Sequence, residues 1–138
     1  MKEYHFNDLT EGLEESFSYI VTAEKMSLFC SLTGDENPLH MDETFAVEYG
    51  FLNRVVYGML TASLISTLAG MYLPGKYCLI QEVDSKFVSP VYIGDELLVK
   101  GVVRELSESV QQAVIKVEIT NQNHKKVVRG TLKVGFLE

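Results

Sequence analysis

The feature that constrains this chain most is the segment 59–71, which runs for about three and a half helical turns without one charged residue. A helix lying on a protein surface shows charge along its wet side, so one that is apolar nearly all round belongs inside. Gly58 precedes the segment, and Gly70 with Pro74-Gly75 closes it. It falls short of the roughly 18–20 residues a membrane-spanning helix needs, so it reads as the buried helix of a folded domain. The rest of the chain must wrap it.

The wrapping is legible after Gly75, where the period changes from helical to alternating. Four strands are expected, at 77–88, 96–106, 111–121 and 126–136. The alternation is clearest in the last two. Ala113, Ile115, Val117 and Ile119 oppose Val114, Lys116, Glu118 and Thr120, while Val128, Gly130, Leu132, Val134 and Phe136 share a face. Turns at Ser89-Pro90, Gly94-Asp95, Ser107-Glu108-Ser109 and Asn121-Gln122-Asn123-His124 are short enough for antiparallel neighbours. Glu82 and Asp84 fall on the first of these strands and are expected in solvent or at a sheet edge.

Before the helix, 16–21 is aromatic and β-branched enough for a strand, and Thr22 suits the N-cap of a helix over 23–32 that Gly34 would end. Asp42 caps a second short helix with Phe45, Ala46 and Tyr49 on one side and Gly50 at its end. Between these helices Pro38 fixes its own φ and disfavours helix at Asn37, so 35–39 is expected as a defined turn and His40 in a loop. One strand, then helices, then a run of strands gives a single α+β domain over 1–138: an antiparallel sheet wrapped on a central apolar helix, which is the hot-dog architecture. The 138 residues, 46% hydrophobic and 22% charged, suit one such core.

The formal net charge of -7 argues against a nucleic-acid binder or an anionic-membrane binder, because both need a basic footprint. A polyanionic ligand would need local cations, among which Lys76, Lys86 and Lys125 are candidates. Cys30 and Cys78 sit in apolar settings without a CxxC or metal-ligand spacing and are expected as buried free thiols. The first residues lack the apolar core of a signal peptide, so a cytoplasmic protein is expected. His5 and His124 receive no role.

Asp35 and His40 are five residues apart across the Pro38 turn, so both side chains can converge over a cleft. Their ordinary reading is a turn-former and a residue at the start of a helix. Their chemical reading is a carboxylate and an imidazole that hold one water, near a helix start whose N–H groups can polarise a carbonyl. The run Leu32-Thr33-Gly34-Asp35-Glu36-Asn37-Pro38-Leu39-His40-Met41-Asp42, with Phe45-Ala46 and Tyr57-Gly58-Met59-Leu60 after it, resembles the signature of the MaoC-like (R)-specific enoyl-CoA hydratases. The likeness extends through Leu73-Pro74-Gly75-Lys76, Phe87-Val88-Ser89-Pro90-Val91 and Gly94-Asp95-Glu96, so it covers the chain from about Ser16 to Phe136.

That resemblance implies a hot-dog fold, usually dimeric, with no metal and no bound redox cofactor. It implies (R)-specific hydration of a trans-2-enoyl thioester of coenzyme A or an acyl carrier, and the reverse dehydration. Asp35 and His40 match the catalytic pair, and Asn37 the asparagine that follows it. Gly58 matches the residue whose N–H faces the thioester oxygen, and Ser66 a helix serine lining the same site. Tyr57 stands where the family typically has histidine, which would alter the edge of the acyl pocket. Arg54 and Asn53 also depart from the usual pattern. A hot-dog acyl-CoA thioesterase and a non-catalytic acyl-thioester binding module are the alternatives.

Overall fold

A computed structural model describes residues 1–137. Its strands are β1 (Glu14–Ile20), β2 (Cys78–Phe87), β3 (Glu96–Ser107), β4 (Gln112–Thr120) and β5 (Lys126–Phe136). All pairings are antiparallel and the order is β1-β3-β4-β5-β2, so the first strand takes one edge and the strand after the central helix takes the other. The expected strand run is present, and β1 begins two residues earlier than its apolar character suggested.

The alternation in β4 and β5 decides which side is wet. Ala113, Ile115, Val117 and Ile119 are buried with Leu132 and Val134, while Lys116 and Arg129 stand in solvent. Cross-strand ion pairs suit that outer face: Lys133 meets Glu82 at 2.9 Å and Lys100 meets Glu14 at 2.8 Å. Glu82 and Asp84 are exposed on edge strand β2, as their setting implied.

Four helices occupy the other side: α1 (Ala23–Thr33), α2 (Pro38–Met41), α3 (Glu43–Glu48) and α4 (Gly58–Thr67). Thr22 caps α1 by accepting from the Lys25 N–H, and Gly34 ends it at φ +75, a backbone that a Cβ would oppose. Asp42 caps α3 in the same way, accepting from the Phe45 N–H. The central helix is shorter than the apolar segment. After Thr67 it widens into a π turn, Leu68–Tyr72, closed by the Leu73 N–H on the Leu68 carbonyl.

The helix is also less enclosed than its composition implied. Leu60, Leu64, Ile65 and Leu68 enter the core with the sheet, but Met59, Ser63, Ser66 and Thr67 face outward, and Met59 is 66% exposed. Among the described residues nothing else covers that side. Cys30 and Cys78 are free thiols and only half-buried; burial pushes the Cys78 thiol up to about 11.

Candidate active site

The motif segment forms a chain of short local bonds. Thr33 Oγ1 accepts from the Asp35 N–H, Asp35 Oδ1 from the Asn37 N–H, and Asn37 Oδ1 from the Leu39 N–H. Each bond spans two residues, so together they shape a tight turn whose polar side chains serve the backbone. Asn37 is thereby the N-cap of α2, with Pro38 at the first helical position. His40 lies on that one-turn helix rather than in a loop. The proline signal has two outcomes: it disfavours helix at the residue before it, but its fixed φ is suited to starting a helix.

His40 is fixed from its far side. Its Nδ1 sits 2.7 Å from the Val55 carbonyl, and the Val55 N–H returns to the Leu39 carbonyl. A carbonyl can only accept, so Nδ1 carries the proton and Nε2 of a neutral ring presents a lone pair. Asp35 is exposed, with one carboxylate oxygen engaged by the Asn37 N–H and the other free of the turn. Among the described residues no ion pair includes Asp35 or His40.

His40 and Gly58 border one cavity of about 120 Å³, closed by Thr61, Phe87, Val91 and Val128. Gly58 opens α4, so its N–H has no acceptor within the helix and lies at the positive end of the helix dipole. A Cβ on Gly58 would stand 3.1 Å from the Phe87 ring, so the glycine lets that ring lie close against the start of the helix. The cavity thus has a base-competent nitrogen, a backbone donor and apolar walls. Larger grooves on the outer sheet face lie among charged side chains such as Lys100, Arg104, Lys116 and Glu118.

Asp35 stands on the exposed turn outside the lining of this cavity, and the other expected site residues fall elsewhere too. Tyr57 is 1% exposed, its ring tilted by 33° against that of His40 with centroids 4.2 Å apart, and its hydroxyl donates to the Asp35 carbonyl. It lies behind the motif rather than at the pocket edge, because a buried phenol needs an acceptor and that carbonyl supplies one. Burial, with Cys30 and Asp35 nearby, pushes its hydroxyl up to about 12. Asn37 is occupied as a cap. Ser66 is on the exposed side of α4, eight residues or about 12 Å along the helix from Gly58. Thr61 was not among the expected residues. It is a buried polar side chain of the core, 1% exposed, with no partner for its hydroxyl among the described residues. A threonine in an apolar helix gives no signal of this in the sequence.

A five-stranded antiparallel sheet folded about one helix, with a histidine and a helix-start N–H meeting at the helix end, is the hot-dog fold. Residues 7–127 match the MaoC like domain family. Over 122 residues the chain is 37% identical to the (R)-specific enoyl-CoA hydratase of Aeromonas caviae, covering 88% of this chain and 91% of that protein. It is also 37% identical over 106 residues to the 3-hydroxybutyryl-CoA dehydratase of Methylorubrum extorquens, covering 77% and 68%. The solved (R)-hydratase of A. caviae superposes with a TM-score of 0.88 at 34% identity, covering 93% of this chain and 97% of that one. An R-hydratase of Pseudomonas aeruginosa gives 0.90 at 28% identity, covering 97% and 86%. The chain belongs to the MaoC-like domain family, whose members here are hydratases and dehydratases.

Proposed function

We propose that this enzyme adds water to the β-carbon of a trans-2-enoyl-CoA to give an (R)-3-hydroxyacyl-CoA, and catalyses the reverse dehydration. The observation that carries the reading is the cavity that His40 and Gly58 share. In the hydration direction, water held between Asp35 and His40 Nε2 gives up a proton as its oxygen bonds to the β-carbon. The Gly58 N–H stabilises the enolate-like oxygen of the thioester, and a proton delivered to the α-carbon from the same pair completes a syn addition. Acid–base groups and a backbone donor suffice for this chemistry, so the reading calls for no metal and no redox cofactor.

The working unit is a homodimer in this proposal. The outward side of α4 is apolar at Met59, and edge strand β2 exposes Leu79, Ile80, Val83, Phe87 and Val88. Val88 follows the end of that strand, and an uncovered, partly apolar edge strand is a liability that pairing with a second copy removes. Ser66 would then be covered by the partner rather than lie in open solvent. The test is loss of enoyl absorbance from crotonyl-CoA. Loss of absorbance without thiol release supports hydration, thiol release would indicate a thioesterase, and binding without either would indicate a non-catalytic module.

A further inference from the structure

Asp35 sits in a segment that mostly ties to itself. The bonds from Thr33 Oγ1, Asp35 Oδ1 and Asn37 Oδ1 each reach two residues along the chain. They set the shape of the turn without setting where it lies relative to α4. Gly34 is tied back to α1 through the Cys30 carbonyl, and His40 is tied to Val55. Asp35 has one long-range bond among the described residues, from the hydroxyl of Tyr57, with N-to-C separation of 22 residues and an O···O distance of 2.5 Å.

The same side chain touches the other half of the pair. The Tyr57 ring lies between His40, at 4.2 Å, and Phe29, at 4.8 Å, and its hydroxyl also contacts Met41 Sδ at 3.4 Å. One buried residue therefore contacts the backbone of Asp35, the ring of His40 and the side chain after it. Tyr57 also directly precedes Gly58, so it is the N-cap residue of α4.

We infer that Tyr57 is a positioning residue, whose ring and hydroxyl together fix the Asp35 turn and the His40 ring against the start of α4. This rests on Asp35 and His40 being the catalytic pair. Phenylalanine would keep the ring contacts but lose the tie to Asp35. Buried among apolar groups, the phenol stays protonated and keeps donating well above neutral pH. A misplacement of one ångström can cost far more rate than affinity, because the acid–base pair must meet a transition state rather than a ground state.

The test compares wild type, Tyr57→Phe, Tyr57→His and a core control remote from the site, Leu132→Val. Tyr57→Phe is expected to lower kcat by about tenfold or more with KM within about twofold, and to speed amide hydrogen exchange across 34–41. Tyr57→His keeps a ring and an N–H donor, so it should fall between wild type and Tyr57→Phe in both readouts. It carries the same comparison with wild type if Tyr57→Phe does not fold. Leu132→Val should lower thermal stability while leaving kcat and the exchange of 34–41 in place. Wild-type kcat and exchange in the Tyr57 variants would overturn the inference, as would a kcat loss matched by Leu132→Val. If wild type does not hydrate enoyl thioesters, the proposed function fails, and the exchange rates still decide whether Tyr57 holds the turn.

Discussion

The segment from Thr33 to Tyr57 and the outward side of α4 are built on opposite terms. In the first, the polar side chains expected in the site have protein partners: Asp35 with the Asn37 N–H, Asn37 with Leu39, His40 with Val55, and Tyr57 with Asp35. In the second, Met59, Ser63, Ser66 and Thr67 face out beside the exposed apolar residues of β2. One chain suffices to shape the turn that carries Asp35 and His40. It does not suffice to enclose the helix side that carries Ser66.

The largest expected break is chemical. Asp35→Asn and His40→Ala should each lower hydration turnover by at least about 10²-fold, since a positioned acid or base is worth about 10²–10⁴-fold. Near-normal loss of crotonyl-CoA absorbance in either variant would remove the pair from the mechanism. On the other region, Val83→Lys places a charge in the proposed interface on β2, and the homodimer should dissociate in size-exclusion chromatography with light scattering. A dimer of unchanged mass would place the interface elsewhere.

Stability measurements separate the regions more finely. The Tyr57 hydroxyl lies at about 12 when folded, against about 10 for an unfolded phenol, so the folded state holds its proton more tightly. That contribution is complete below about pH 10 and is lost as pH rises toward about 12; on the order of 2 kcal/mol should disappear in that window. Denaturant unfolding should show this excess alkaline loss in wild type and not in Tyr57→Phe. Asn37→Ala removes the cap of α2 and should cost about 1 kcal/mol in the same measurement. Ser66→Ala, which breaks no hydrogen bond among the described residues, should stay within about 0.5 kcal/mol.

Fold and site were legible to different depths. The charge-free segment and the alternation in β4 and β5 announced a helix packed on a half-wet sheet, because burial selects side chains by period, but not the side of that helix left open. Thr22, Gly34 and Asp42 marked helix ends because those positions demand particular side-chain oxygens or a positive φ. Pro38 was ambiguous. The residue type permits both a turn and a helix start, and the Asn37 cap settled it.

By itself, the sequence carried the α+β class, the helix ends and the nearness of Asp35 and His40 along one short segment, all of which depend on neighbours close along the chain. Only the tertiary structure decided the strand order, with β1 and β2 at opposite edges, because pairing across the sheet leaves no local pattern. It also decided that His40 shares its cavity with Gly58 and Thr61, that Tyr57 stands behind the turn, and that Ser66 faces outward. Those facts depend on which way a side chain turns once distant segments meet. Hydrophobicity gives the depth of a residue, and contact alone gives its direction.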